Sequence, residues 1–105
     1  MIPEIDVDEL SNRRGAGVHL IDVREADEYA EGHVTGARFV ALSELADRLG
    51  ELPDGPLVII CKSGGRSLKA CEFLEARGRD TTNVAGGTMA WIASGREIST
   101  GMERD

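Results

Sequence analysis

Short apolar runs alternate along the chain with stretches whose apolar residues are spaced as on one face of a helix. The runs "HLIDV", "RFVAL", "LVII" and "TTNV" predict β-strands over 19–23, 38–42, 57–60 and 81–84. The third run is apolar at every position, which is typical of a strand covered on both faces. The turn sequence "PDGP" precedes it and predicts where this strand begins.

Five stretches before, between and after these strands have helical spacing. They predict helices over 7–14, 25–32, 43–50, 66–78 and 88–95. Asp6 and Glu9 have the spacing of a capping box at the start of the first helix. Ser43 and Thr88 are the predicted N-caps of the third and fifth helices. The acidic stretch "EADEYAE" at the second helix predicts a solvated face.

The alternation of strands and helices predicts an α/β fold with a mostly parallel sheet. A chain of 105 residues has the size of one domain, which we expect to span 1–105, with a core of about 5–95 and a short tail at 96–105. In such sheets the ligand site lies beyond the carboxyl ends of the strands. Cys61 stands at such a position, directly after the strand predicted over 57–60.

The charge balance narrows the class of partner. Nineteen acidic and twelve basic residues give a net charge of −7, which disfavours nucleic acid and anionic membrane surfaces as partners. No apolar stretch approaches the ~18 residues of a membrane span, and the acidic start lacks the basic region of a secretory signal, so we expect a cytoplasmic protein. Two cysteines and two histidines without zinc-site spacing predict no metal, and nothing in the sequence calls for a cofactor.

Cys61 opens a loop whose composition suits a reactive thiol. The sequence "CKSGGRS" contains two bases and no acid, and its two glycines allow a tight turn that exposes backbone N–H groups. Such N–H groups and the start of the following helix form an anion-binding nest, which stabilises a thiolate. Cys61 is therefore the candidate nucleophile, whereas Cys71 lies on the helix face of Leu68 and Leu74 and is predicted to pack in the core.

With these motifs in place, the sequence resembles the rhodanese family of sulfurtransferases. The stretch "LIDVREADEYAEGHVTGA" is similar to the family's N-terminal signature, "CKSGGRS" to its active-site loop, and "NVAGGTMAW" to its closing segment. The resemblance implies a three-layer α/β fold around a mostly parallel five-stranded sheet flanked by helices. It also implies that Cys61 carries a persulfide, in a loop whose substrate-binding residues would be Lys62, Ser63, Gly64, Gly65, Arg66 and Ser67.

Other residues of these motifs are predicted to have structural roles. Asp22 and Arg24 are expected to form an ion pair or loop brace, and His33 to make a structural hydrogen bond. Gly86 and Gly87 are expected to let the last predicted strand turn into its helix beside the loop.

The function predicted from the family resemblance is that of a thiosulfate sulfurtransferase. The expected donor is a small sulfur-containing anion such as thiosulfate or a persulfide, and the acceptor is cyanide, a thiol or a protein. A persulfide carrier or partner-docking module stays open as an alternative. A phosphatase or arsenate reductase of similar fold is disfavoured, because those relatives have an active-site loop one residue longer than the C-x4-R spacing of Cys61 and Arg66.

Overall fold

The computed structural model describes residues 1–102, so the last part of the predicted tail, 103–105, lies outside the described residues. In chain order the strands β1 to β7 are Glu4–Ile5, His19–Asp22, His33–Val34, Arg38–Phe39, Leu57–Ile60, Thr81–Val84 and Ile98–Ser99. The α-helices α1 to α4 are Val7–Arg14, Ala26–Glu31, Gly65–Glu75 and Gly87–Ala93. Two short 3-10 helices, Leu42–Asp47 and Leu49–Glu51, lie between β4 and β5.

Five strands form an all-parallel sheet in the order β1-β6-β5-β2-β4, flanked by helices. The predicted α/β class and its five-stranded sheet are confirmed. β5 is the central strand, and all four of its residues are at most 3% exposed. Its carboxyl end therefore lies between β2 and β6, and Cys61 follows it directly.

The core on one face of the sheet lies beneath α3 and the 3-10 helices. Leu57 and Ile59 of β5 share this cluster with Cys71 and Leu74 of α3. Cys61 belongs to the same cluster because successive side chains of a strand alternate between the two faces.

The opposite face packs against the other three α-helices. Val58 and Ile60 of β5 share this second cluster with Leu10 of α1, Tyr29 of α2 and Trp91 of α4. The central strand is thus covered on both sides, which explains why it is apolar throughout.

The stretch predicted as a helix from Ser43 to Gly50 is instead two 3-10 turns. The leucines in and next to this stretch come in pairs three residues apart, Leu42 with Leu45 and Leu49 with Leu52. This spacing matches a 3-10 helix. Ser43 is not an N-cap, and its hydroxyl approaches the Glu25 carboxylate instead.

Thr88 is not the N-cap of α4, which begins after Gly86. The Thr88 backbone N–H donates to the Cys61 carbonyl at 2.9 Å, so a carbonyl of the loop takes the place of a capping side chain. Within residues 1–102, the buried Thr88 hydroxyl makes no hydrogen bond.

Three strands of two residues each were not predicted, because such short strands carry no periodicity. β1 adds the edge strand beside β6. β3 and β7 pair antiparallel, so part of the segment predicted as a tail forms a strand. Among the described residues, no helix has the length and apolar character needed to cross a bilayer.

Candidate active site

The loop after β5 wraps around the sulfur of Cys61. Gly64 has a φ of +119°, a conformation that side chains disfavour, and precedes the first turn of α3. This turn brings the Gly64 backbone N–H to 3.1 Å from the Cys61 sulfur, toward which it donates. The Ser67 hydroxyl lies 3.2 Å from the same sulfur, and both side chains are at most 1% exposed.

These contacts favour an anionic sulfur. Burial raises the pKa of the Cys61 thiol, but hydrogen bonds from the Ser67 hydroxyl and from the N–H groups of Ser67, Gly64 and Ser63 outweigh it. The pKa of Cys61 therefore lies below its ordinary value. The loop has the geometry of an anion nest centred on the Cys61 sulfur, the candidate nucleophile.

The start of α4 holds the outside of this loop. The Thr88 and Met89 N–H groups donate to the carbonyls of Cys61 and Lys62 at 2.9 and 3.0 Å. Gly87 has a φ of +58°, and a Cβ there would lie 2.5 Å from the Lys62 carbonyl oxygen. Because α4 binds the loop's first two carbonyls, the following N–H groups are free to face the sulfur.

Arg66 and Glu28 form a bidentate ion pair across the site. The Arg66 guanidinium donates to both Glu28 carboxylate oxygens, at 2.7 and 2.8 Å, from the first turn of α3 to α2. This contact lowers the pKa of Glu28 to about 2. The expectation that the acidic stretch at 25–31 is only a solvated face is wrong at Glu28, which pairs with Arg66, and at Tyr29, which is 1% exposed.

Lys62 differs from Arg66 in having no ion-pair partner within residues 1–102. Its side chain is exposed and borders an open cavity of about 340 Å³ beside the loop. The cavity is lined by charged side chains and by the apolar side chains of Met89 and Ile92 of α4. Ser63 and Gly65 are exposed at the rim of the loop.

Asp22 and Arg24 form a buried ion pair at the end of β2. The Arg24 guanidinium donates to the Asp22 carboxylate at 2.8 Å and to the Gly32 carbonyl at 2.8 Å. These contacts join β2 to the end of α2 and agree with the brace expected from the sequence.

His33 is buried outside the Cys61 loop. Its Nδ1 lies 2.8 Å from the Tyr29 carbonyl oxygen, and its ring stacks on the Tyr29 ring with centroids 3.6 Å apart. These contacts favour the structural role expected for His33.

Cys71 lies in α3 and is fully buried. Burial raises the pKa of its thiol to about 11, opposite in direction to that of Cys61. The two thiols are both free, and only Cys61 faces the anion nest.

Sequence reasoning missed two residues at this site. Glu28 was assigned only to the family signature, and Asn83 only to a strand, yet Glu28 holds Arg66 and Asn83 contacts Ser67. Asn83 stands out as a buried amide in β6, a polar residue that needs partners. An asparagine inside a predicted strand marks a candidate for such a contact, but the sequence does not identify its partner.

Fold and site together define a small parallel α/β protein with a candidate nucleophile, Cys61, in a loop at the carboxyl end of its central strand. The sequence profile of the family described as Rhodanese-like domain matches residues 6–94. The chain therefore belongs to the rhodanese-like domain family, as its motifs predicted.

Individual relatives cover most of the chain. It is 36% identical to a protein named sulfurtransferase from Allochromatium vinosum, over 93% of this chain and 95% of that one. It is also 36% identical to the thiosulfate sulfurtransferase GlpE of Pseudomonas putida, over 81% of this chain and 79% of that one. The crystal structure of a rhodanese-related protein from Thermoplasma volcanium matches with a TM-score of 0.87 and 30% identity, covering 96% and 99% of the two chains.

Proposed function

We propose that this protein is a sulfurtransferase that moves a sulfane sulfur from thiosulfate or a persulfide donor to a thiol or cyanide, through a persulfide on Cys61. The observation that carries the proposal is the Cys61 sulfur, which accepts from the Gly64 N–H in a loop whose hydrogen bonds lower the pKa of the thiol. The relatives named sulfurtransferase and thiosulfate sulfurtransferase support the same chemistry.

The first step is a displacement at sulfur. The Cys61 thiolate attacks the outer sulfur of thiosulfate and forms a new S–S bond, while the S–S bond of thiosulfate breaks and sulfite leaves with the electron pair. The product is an anionic Cys61 persulfide, which the N–H groups of Ser63, Gly64 and Ser67 would stabilise. No proton is transferred, so the step needs no general acid.

The second step returns the enzyme to its starting state. Cyanide or a thiolate attacks the outer sulfur of the persulfide, and the Cys61 thiolate leaves with the electron pair of the broken S–S bond. Cyanide gives thiocyanate, and a thiolate gives a new persulfide. This is ping-pong covalent catalysis, with sulfite released before the acceptor reacts.

The assay that tests the proposal is thiocyanate release from thiosulfate and cyanide. We expect turnover with parallel lines in double-reciprocal plots, as for a ping-pong mechanism. A Cys61 persulfide should also appear as a mass increase of one sulfur atom after thiosulfate alone. A protein that gains the sulfur but turns over slowly with every small acceptor would instead be a persulfide carrier.

Phosphatase activity is expected to be absent. The C-x4-R loop is short, and the nearby carboxylate of Glu28, with a pKa of about 2, is ionised and paired with Arg66. It therefore holds no proton for the leaving alkoxide of a phosphate ester. Hydrolysis of an aryl phosphate should not exceed the buffer rate, and turnover that disappears in Cys61→Ser would contradict the proposal.

A further inference from the structure

The Ser67 hydroxyl has one hydrogen and three acceptors within reach. Its oxygen lies 3.2 Å from the Cys61 sulfur, 3.2 Å from the Gly64 carbonyl oxygen and 2.5 Å from Asn83 Oδ1. A hydroxyl donates one hydrogen bond at a time, so these acceptors compete for the same proton. The shortest contact is the one to Asn83.

Two contacts fix the direction of the Asn83 amide. Its Nδ2 donates to Glu4 Oε2 at 2.8 Å and to the Gly64 carbonyl at 3.2 Å. A reversed amide would point its oxygen at a carboxylate and a carbonyl, both of which only accept. Because Glu4 and Gly64 hold the amide nitrogen, the amide oxygen faces Ser67 as a permanent acceptor.

From this geometry we propose that Asn83 is a positioning residue that competes with the Cys61 sulfur for the Ser67 proton. The proton turns to the sulfur when Cys61 is a thiolate, because an anionic acceptor makes the stronger hydrogen bond. The Ser67 hydroxyl donates to Asn83 when Cys61 Sγ carries no charge. Cys61 Sγ is uncharged in the thiol and also in the persulfide, where the charge is on the outer sulfur. The persulfide part of this role rests on the proposed function, whereas the thiol part does not.

The competition has a consequence for both steps of sulfur transfer. Ser67 and Asn83 are at most 1% exposed, so a hydroxyl without an acceptor would be costly in either state. In the persulfide state, Asn83 accepts the hydrogen bond of the Ser67 hydroxyl. In the thiolate state, Asn83 competes for that hydrogen bond and so weakens the one from Ser67 to the Cys61 sulfur. A less strongly held thiolate is a better nucleophile, because nucleophilicity rises with the pKa of the thiol.

The test is the rate of alkylation of Cys61 by iodoacetamide as a function of pH. In Asn83→Leu the Ser67 hydroxyl has lost its nearest competing acceptor, which leaves the Gly64 carbonyl and the sulfur, each at 3.2 Å, and it should donate to the anionic sulfur more strongly. We expect the midpoint of the alkylation curve to fall by about half to one pH unit, the size of one ordinary hydrogen bond. Asn83→Ala removes the same acceptor with a smaller side chain, so the midpoint should fall in that variant too.

The charged groups around the sulfur are the same in all of these variants. They include Glu4 of β1, the Asp22–Arg24 pair of β2, Glu25 before α2, Glu28 and Glu31 of α2, Lys62 of the loop and Arg66 of α3.

A Ser67→Ala background separates this role from a general effect on folding. Without the hydroxyl there is no proton to compete for, so Asn83→Leu should leave the midpoint of Ser67→Ala unchanged. An equal downward shift in both backgrounds, or no downward shift in the native background, would overturn the proposal. If Asn83→Leu fails to fold, Asn83→Ala is compared in the two backgrounds, and a downward shift that does not shrink without Ser67 would overturn the proposal.

Alkylation needs no sulfur donor, so its result is independent of the proposed function. A protein that releases no thiocyanate but shows the Ser67-dependent shift would refute the transfer activity and retain Asn83 as a positioning residue. A protein with full turnover and no such shift would support the transfer activity and refute the role of Asn83 as a positioning residue.

Discussion

In Cys61→Ala, thiocyanate formation from thiosulfate and cyanide is expected to fall to the rate measured without protein. The sulfur of Cys61 is the atom that the Gly64 N–H and the Ser67 hydroxyl surround, and it would form both covalent bonds of the reaction. Alanine leaves the loop without its nucleophile, and no other thiol faces the nest. The mass increase produced by thiosulfate should disappear in the same variant.

Cys71→Ser is the matched control for the loss of a thiol. Cys71 is fully buried in α3, and burial raises its pKa to about 11, so it contributes no thiolate near neutral pH. We expect most of the activity to remain and the unfolding temperature to fall, because a hydroxyl replaces a well-packed sulfur in an apolar core. Similar losses of activity in both folded variants would contradict the assignment of Cys61 as the nucleophile.

The loop around Cys61 could be predicted because its signals are local in the sequence. An apolar strand, a cysteine, a glycine pair and a helix occur in consecutive residues, and the order alone predicts an anion nest at the end of the strand. The structure has this order from Leu57 to Glu75, with the Gly64 N–H at the sulfur. The physical reason is that backbone geometry near a turn is set by neighbouring residues.

Glu28 and Asn83 could not be assigned in the same way. Glu28 lies 38 positions before its partner Arg66, and Asn83 lies 16 positions after Ser67. Their contacts depend on how α2 and β6 are placed against the loop, which neither hydrophobic spacing nor capping signals specify. The positive loop expected from the local sequence is therefore partly neutralised by an acid from another helix.

The same contact changes what is expected of the loop's bases. A charge-assisted hydrogen bond contributes about 1.5–3 kcal/mol, or roughly ten- to a hundredfold in rate if it acts in the transition state. The Arg66 side chain is 36% exposed and already paired, so solvent and Glu28 reduce its effect on an incoming anion. We expect Arg66→Ala to lower kcat/KM for thiosulfate by about tenfold, the lower end of that range.

Part of this loss should come from the partner that Arg66 leaves behind. In Arg66→Ala the Glu28 carboxylate stays beside the site without a counter-charge and repels a doubly anionic donor. The double variant Arg66→Ala/Glu28→Gln should therefore be more active toward thiosulfate than Arg66→Ala alone. The Glu25 N–H donates a hydrogen bond to Glu28 Oε1 at 3.1 Å. Glutamine keeps a side-chain oxygen that can accept this bond, so the start of α2 is preserved.

Glu28→Gln alone is expected to change kcat/KM for thiosulfate in the opposite direction to Arg66→Ala. Release of the Arg66 guanidinium from its carboxylate places an uncompensated positive charge beside Cys61, so kcat/KM for thiosulfate should rise and become more sensitive to salt. Lys62→Ala should have a smaller effect than Arg66→Ala, because the exposed Lys62 side chain is strongly screened by solvent.

The pH dependence of Cys61 alkylation should rank the Arg66 and Glu28 variants in the same order, and this measurement needs no sulfur donor. A positive neighbour favours the thiolate, so Arg66→Ala should raise the pKa of Cys61 and move the curve to higher pH, while Glu28→Gln should move it to lower pH. The double variant should lie between Arg66→Ala and Glu28→Gln. Superimposable curves for all of these variants, together with unchanged thiosulfate kinetics, would mean that the backbone N–H groups hold the sulfur anion alone and that the ion pair only joins α3 to α2.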